Sequence, residues 1–326
     1  MTTYLNSLSN HRNLSLSEMN QIAVSLVPAQ FRERPWKNTG NHGKSLLQTE
    51  EQMNCYMAAY CEMHIMKVKE TLKNFPFDEL PDKIRIIDYG CGQGIATLSF
   101  LEELQNRKML QKVFSIFLVE PSPYTLARAE ANVRNFTYGM DISVCSINKY
   151  LPSDGDSSKS VTEADLFPKS SVVVHIFSNI LDIPEINLKK TAELVLSSGS
   201  TNYLLCMGPI DRNSPRIDEF CSIFNDGRFF SKIDNPSLGK VNNSHNVQCK
   251  SRGMIVESSS GINDYLSSGV YTDDGVFDEY DQRSSLYSLE DNEKIAVMIV
   301  GYQLLVSAKC CPLDESDNPS IDIILG

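Results

Sequence analysis

Short apolar runs alternate along the chain with longer segments in which apolar residues recur at helical spacing. The runs that predict buried strands occupy residues 84–88, 113–119, 142–147, 171–177 and 202–207. The segments that predict helices between them occupy residues 124–136, about 185–196 and about 214–224. Strands that alternate with helices in this way usually form a parallel sheet with helices on both faces. We therefore expect an α/β fold with a doubly wound, mostly parallel sheet.

The pattern before the first strand is helical. Residues 45–75 carry apolar side chains at the spacing of one long helix. We interpret residues 1–80 as an N-terminal helical extension, and as a possible lid. Tyr56, Tyr60 and His64 are spaced so that they share one face of the long helix. That face either packs into the core or closes over a ligand.

Two further strands are expected near the C-terminus, at residues 229–233 and 294–307, where they would form an antiparallel pair at the end of the sheet. Between them, residues 234–292 are rich in Ser, Asn, Asp and Gly. A loop of this length is unusual inside a compact domain. We interpret residues 81–326 as one domain with a long insertion at about 234–292, which is either a substrate flap or a disordered segment.

Three alternating glycines follow the first strand, in the sequence Asp88-Tyr-Gly90-Cys-Gly92-Gln-Gly94. Glycines remove side chains where a strand turns sharply into a helix, so that bare backbone and its N–H groups can approach a ligand. Asp88 then lies at the carboxyl end of the strand, where open α/β sheets bind their ligands.

The glycine spacing distinguishes between nucleotide ligands. A dinucleotide fingerprint needs a third glycine where this chain has Ile95 or Thr97, depending on which glycine is counted first. A phosphate-binding loop needs Lys-Ser or Lys-Thr after the last glycine, and the carboxylate of Asp88 would repel phosphate. The turn resembles instead the first motif of class I S-adenosylmethionine-dependent methyltransferases. Their cofactor carries an ammonium and a sulfonium, which suit a neighbouring carboxylate.

A second motif of that family stands at the expected distance. The run 113–119 ends in Glu120, far enough after the glycines for one helix and a return strand. An acid in this place can accept both ribose hydroxyls of a nucleoside. The resemblance implies a seven-stranded, Rossmann-like sheet, and it implies a set of cofactor-binding residues: Asp88, Gly90, Cys91, Gly92, Gly94, Glu120, Pro121, Asn148 for the adenine, and Tyr60 from the lid.

The methyl acceptor is expected at the carboxyl end of the fourth strand, where the chain offers Ser178, Asn179 and Asp182 as candidate catalytic residues. The alternative is that Asn179 or Asp182 only caps the next helix or stabilises a turn. Family members that methylate exocyclic base amines or glutamine amides carry Asn or Asp followed by Pro-Pro and an aromatic residue here, and this chain does not. His175, inside the strand, is interpreted as a hydrogen-bonded core residue.

Composition excludes several classes of function. A formal net charge of −11 and a pI near 5.0 disfavour nucleic acid as a partner, because such binding needs positive surface. No apolar run reaches the roughly 20 residues of a membrane span, and no secretory signal is evident. Nine cysteines without a C-x-x-C pair suggest neither a disulfide framework nor a metal site. We expect a cytoplasmic protein with reduced thiols.

These observations favour an S-adenosylmethionine-dependent methyltransferase that transfers a methyl group by in-line displacement. The acceptor is unidentified and is either a small molecule or a macromolecule. Two alternatives are a methyltransferase-like interaction module without catalysis and, less favoured by the glycine count, a nicotinamide-dependent oxidoreductase.

Overall fold

The computed structural model describes residues 3–40, 43, 45–72, 75, 77–155, 157–166, 170–208, 215–223, 231–233, 302–309 and 322–324 of the 326-residue chain. The helices are α1 (Thr3–Ser9), α2 (Leu16–Ser25), α3 (Glu50–Leu72), α4 (Ile95–Asn106), α5 (Pro123–Phe136), α6 (Leu188–Ser198) and α7 (Pro215–Ile223). The strands are β1 (Ile84–Tyr89), β2 (Val113–Val119), β3 (Ser143–Ile147), β4 (Ser170–Ser178), β5 (Gly199–Gly208), β6 (Ser231–Ile233), β7 (Tyr302–Lys309) and β8 (Asp322–Ile324).

The main sheet has the order β3-β2-β1-β4-β5-β7. Its first five strands are mutually parallel, and β7 runs antiparallel to β5. The expected α/β fold with a mostly parallel sheet is therefore confirmed. From β1 the chain continues to β2 and β3 on one side, and later returns to β4 on the other side. The carboxyl ends of β1 and β4 thus form the switch point, where sheets of this kind leave a crevice for ligands.

The C-terminal strands are only partly as expected. Among the described residues the main sheet holds six strands, so the seven-stranded sheet stays a prediction. The expected antiparallel pairing of residues 229–233 with 294–307 is not found among the described residues, because β7 runs antiparallel to β5 and β6 pairs in parallel with β8. Residues 294–301 and the predicted insertion at 234–292 lie outside the described residues.

Each face of the sheet builds its own core, because successive strand side chains point to opposite faces. In β1, Ile84 and Ile86 pack on one face, together with apolar residues of α1 to α5. Ile87 and Tyr89 pack on the other face, together with residues of α6 and α7. All six residues of β1 are buried. The sheet is therefore doubly wound, and its central strand is covered on both faces.

The N-terminal helices share the first of these cores. The ring of Tyr4 in α1 is 1% exposed and lies 3.4 Å from the guanidinium carbon of Arg128 in α5. The Tyr4 hydroxyl donates to Asn132 Oδ1 at 2.9 Å. A capping box between Ser15 and Glu18 begins α2. The Tyr4 contacts therefore dock α1 on α5, and the capping box stabilises the start of α2.

His175 in β4 is fully buried, as the sequence interpretation expected. Its Nδ1 lies 3.1 Å from the Tyr89 hydroxyl, and its Nε2 lies 3.0 Å from Asn202 Oδ1. Burial lowers the pKa of His175 to about 4, against the opposing effect of the hydrogen bond to Asn202. The imidazole is therefore a neutral, structural group at physiological pH.

Candidate functional site

The three glycines after β1 all adopt left-handed backbone conformations, with φ of 63° at Gly90, 52° at Gly92 and 84° at Gly94. A Cβ on Gly90 would lie 2.7 Å from Ile180 Cδ1, so close packing with the loop after β4 requires glycine there. A Cβ on Gly92 would meet no atom within 4 Å, because the backbone at Gly92 borders open space. Gly94 precedes the first residue of α4. The turn thus presents bare backbone to a space beside the sheet.

Asp88 lies beneath this turn and is fully buried. Its Oδ2 accepts a hydrogen bond from Thr97 Oγ1 at 2.6 Å. Its Oδ1 is buried and has no hydrogen-bond partner among the described residues. Burial raises the pKa of Asp88 to about 7, and the nearby Glu120 adds to this effect, while hydrogen bonds from Thr97 oppose it. An acceptor left unpaired in such a place is costly unless a ligand completes it.

Glu120 follows β2 and faces the same turn. Its Oε2 accepts from the Gly92 N–H at 3.1 Å, and its Oε1 accepts from the Ser122 N–H at 3.0 Å. Burial raises the pKa of Glu120, although these two backbone N–H groups oppose the shift. A carboxylate has about four acceptor positions, so both oxygens can still accept from a ligand.

A cavity of about 590 Å³ opens at the carboxyl ends of β1, β2 and β4. Six of the residues predicted from the sequence line it: Gly90, Gly92, Glu120, Pro121, Ser178 and Asn179. Its volume lies within the roughly 300–1,000 Å³ of small-molecule sites. The structure therefore brings the glycine turn, the acid after β2 and the end of β4 together around one space, at the switch point of the sheet.

The other predicted site residues do not line the cavity among the described residues: Asp88, Cys91, Gly94, Tyr60, Asn148 and Asp182. Asn148 donates through Nδ2 to the backbone carbonyls of Glu120 at 2.9 Å and Pro121 at 2.8 Å. Its amide group thus holds the end of β2 in place, and the next two residues, Lys149 and Tyr150, line the cavity instead. Cys91 packs in the core, where burial raises the pKa of its thiol.

Tyr56, rather than Tyr60, is the aromatic residue of α3 that lines the cavity. Tyr60 is 7% exposed and packs edge-on against Tyr56, with ring centroids 5.1 Å apart. The helical spacing correctly placed both rings and His64 on one face. It could not show which residue of that face meets the cavity, because this depends on how α3 is rotated against the sheet.

Asn179 directly follows β4 and has a left-handed backbone and a fully engaged side chain. Its φ is 56°, which is rare for residues other than glycine, and its N–H donates to Met207 O at 2.7 Å. Its Oδ1 accepts from Lys67 Nζ, and its Nδ2 lies 3.0 Å from His64 Nδ1. Its Nδ2 also lies 3.4 Å from Ser178 Oγ. Sequence reasoning missed Lys67 altogether.

Lys67 and His64 lie in an environment that disfavours charge. Lys67 is 4% exposed, and burial lowers its pKa to about 7, against the opposing effect of the Asp182 carboxylate. Burial also lowers the pKa of His64 well below its usual range, and the neighbouring Lys67 adds to this shift. The Asp182 carboxylate thus affects Lys67 by favouring its charged form. His64 is a neutral imidazole at physiological pH.

Two kinds of feature were searched in the described part of the chain. No group of three or more His, Cys, Asp or Glu side chains there could hold a metal ion. None of the helices described is long and apolar enough to cross a membrane.

Comparison with known proteins yields structural matches only. No model of a known protein family matches the sequence, and neither does any curated protein. An S-adenosylmethionine-dependent methyltransferase from Leishmania major is 14% identical to this chain. The match covers 64% of this chain and 73% of the Leishmania chain, with a TM-score of 0.32. Magnesium protoporphyrin IX methyltransferase from Synechocystis was solved with bound S-adenosylmethionine. It is 11% identical to this chain, the match covers 64% of this chain and 86% of the methyltransferase, and the TM-score is 0.33.

A third similar structure is named for a different activity, a decarboxylation. Precorrin-8W decarboxylase from Methanobacterium thermoautotrophicum is 14% identical, over 49% of this chain and 72% of its own, with a TM-score of 0.32. Identities and scores this low leave the cofactor and the reaction to be inferred from the site itself.

Proposed function

We propose that the chain is an S-adenosylmethionine-dependent methyltransferase and that its cofactor binds in the cavity between the glycine turn and Glu120. The observation that carries this proposal is the pairing, at one edge of the cavity, of a bare backbone at Gly92 with the carboxylate of Glu120. The unpaired buried oxygen of Asp88 lies beneath the same turn. Two carboxylates suit a ligand with an ammonium, a sulfonium and a ribose diol, and they repel phosphate groups.

In this assignment Asp88 and the turn from Gly90 to Gly94 would hold the methionine part of the cofactor, and Glu120 would hold the ribose. The residues after β3 that line the cavity, Lys149 and Tyr150, would lie beside the adenine. The cofactor supplies a methyl group activated by its sulfonium. No metal is part of the proposal.

The chain's own contribution to methyl transfer would be alignment of the acceptor, because an in-line displacement needs mainly orientation and a free lone pair. Ser178 and Asn179 line the cavity at the carboxyl end of β4, where the acceptor is expected. Asp182 would act indirectly, through Lys67. The acceptor is a small molecule or a macromolecule, and the acidic composition disfavours nucleic acid. A cytoplasmic location is part of the proposal.

Calorimetric titration tests the cofactor assignment. We expect S-adenosylmethionine and S-adenosylhomocysteine each to bind at one site, and NAD and NADP not to bind. Glu120→Gln should weaken binding about 10- to 150-fold, because one hydrogen bond to a charged group contributes about 1.5–3 kcal/mol. Glu193→Gln, an exposed substitution on α6, is the control and should bind as the wild type does. Binding of NAD in preference to S-adenosylhomocysteine would contradict the proposal.

Catalysis is tested separately from binding. The protein is incubated with methyl-labelled S-adenosylmethionine and a cell extract divided by size into small molecules and macromolecules. We expect label to enter one fraction, and Glu120→Gln to transfer less at a limiting cofactor concentration. Tight cofactor binding with no label transferred to either fraction would favour the alternative of a non-catalytic module.

A further inference from the structure

A hydrogen-bonded series of side chains connects a buried lysine to the wall of the cavity. Lys67 Nζ donates to Asn179 Oδ1, and Asn179 Nδ2 lies 3.0 Å from His64 Nδ1. His64 Nε2 in turn lies 3.1 Å from the Tyr56 hydroxyl, and the two rings are stacked with centroids 5.9 Å apart. Tyr56 and Asn179 both line the cavity. The helix α3 supplies three of these residues and the end of β4 supplies the fourth.

The chemistry of these groups fixes the direction of every hydrogen bond in the series. Lys67 Nζ faces the oxygen of the Asn179 amide and donates to it, the one arrangement that a lysine ammonium allows. The NH₂ group therefore faces His64, whose Nδ1 must accept. A neutral imidazole that accepts at Nδ1 carries its hydrogen on Nε2. That hydrogen is donated to the Tyr56 oxygen.

We propose that Lys67, Asn179 and His64 are positioning residues: Lys67 orients the Asn179 amide, the amide orients His64, and His64 fixes the direction of the Tyr56 hydroxyl at the cavity wall. This inference rests on the proposed function for its purpose, because Tyr56 and the end of β4 border the place where methyl transfer would occur. Since the Tyr56 oxygen already accepts from His64, its own hydrogen is directed to a partner other than His64. Tyr56 and Asn179 are the two residues of this series that line the cavity and would border a bound ligand.

Two further observations support a positioning role. Asn179 adopts a left-handed backbone, which Asn adopts more readily than most residues with a side chain, and such conformations cluster at functional sites. The Tyr56 ring is closely seated, because a Cβ on Gly43 would lie 2.7 Å from its Cε2. The charged groups that face His64 are Lys67 and, through Lys67, Asp182.

Nuclear magnetic resonance of the full chain labelled with ¹⁵N in its histidine rings tests the inference directly. Long-range ¹H–¹⁵N correlation distinguishes the two neutral tautomers, and the His64→Gln spectrum identifies the His64 signals. We expect His64 to be the Nε2–H tautomer. His175 is the internal reference: its Nε2 faces Asn202 Oδ1, so it should be the same tautomer and be unaffected by changes near Asn179.

Two substitutions remove parts of the series without placing strain on the fold. Asn179→Gly deletes the amide at a backbone conformation that glycine adopts readily. Lys67→Met deletes the buried charge but keeps the length of the side chain. In both variants the single Nε2–H pattern of His64 should be replaced by an average of the two tautomers. Lys69→Met, an exposed position two residues along α3, is the matched control and should leave the pattern unchanged.

Addition of S-adenosylhomocysteine connects the series to the site. We expect the His64 ring signals of the wild type to shift and those of His175 to remain in place. The inference would be overturned by an Nδ1–H tautomer at His64, or by a tautomer pattern of His64 that Asn179→Gly leaves unchanged. Calorimetric detection of cofactor binding in that case would leave the proposed function intact. Absence of cofactor binding together with an intact Nε2–H pattern would overturn the proposed function and leave the hydrogen-bonded series established.

Discussion

Two glycines with similar backbones allow the cofactor site to be separated from general stability. Gly92 and Gly139 have φ of 52° and 81°, and a Cβ at either position would meet no atom within 4 Å. Gly92 borders the cavity, whereas Gly139 is exposed in the turn after α5. Substitution by alanine therefore imposes a left-handed backbone penalty at both positions, and only Gly92→Ala places a methyl group in the proposed cofactor space.

The expected magnitudes follow from these two contributions. A left-handed conformation costs a residue with a Cβ about 1–2 kcal/mol, so each variant should unfold roughly 2–8 °C below the wild type. A methyl group forced into a filled site costs about 1–3 kcal/mol more. For Gly92→Ala the dissociation constant for S-adenosylhomocysteine should therefore rise about 5- to 150-fold. Gly139→Ala should bind like the wild type.

The assays are thermal unfolding and calorimetric titration with S-adenosylhomocysteine. The reasoning is refuted if Gly92→Ala and Gly139→Ala bind the cofactor product equally well. Equal binding would mean that the open space beside Gly92 is not where the ligand lies.

Three further predictions concern stability. Burial raises the folded-state pKa of Asp88 to about 7, so the cost of ionising Asp88 to the folded state is absent below about pH 4, grows until about pH 7 and is constant above. Asp88→Asn should therefore raise the midpoint of thermal unfolding more at pH 8 than at pH 5. An equal effect at the two pH values would contradict this pKa. Gly90→Ala should lower the free energy of unfolding because its methyl group meets Ile180, and adding Ile180→Ala should restore part of that loss. If chemical denaturation shows that the losses of the two single variants simply add in the double variant, the contact is excluded. Tyr4→Ala should lower the free energy of unfolding, measured in urea, by about 3–5 kcal/mol. The control Tyr138→Ala, at an exposed position, should lower it by less than about 1 kcal/mol. Similar losses in the two variants would mean that α1 is not docked on α5.

The central part of the fold could be predicted because its signals are local. A buried strand is a continuous apolar run, and the strand–glycine–helix turn is a short pattern in which Asp88 and Gly92 stand at fixed positions. The alternation of strands with helices then indicates a doubly wound, mostly parallel sheet. Glu120 was placed at the site because the carboxyl ends of parallel strands meet at one edge.

The contacts of α3 could not be predicted, because they depend on residues far apart in the chain. Lys67 meets Asn179 across 112 residues of sequence, and a lysine in a polar helical segment ordinarily indicates solvent exposure. Asn148 shows a second limit of the sequence. Its position after β3 is that of an adenine contact, yet its amide reaches the nearer backbone carbonyls at the end of β2.

A crystal structure of the wild-type chain with S-adenosylhomocysteine tests the central claim most directly. The account predicts the ribose hydroxyls within hydrogen-bond distance of the Glu120 carboxylate and the homocysteine part along the backbone from Gly90 to Gly92, above Asp88. A ligand bound elsewhere, or a turn that stays free of ligand at saturating concentration, would contradict it.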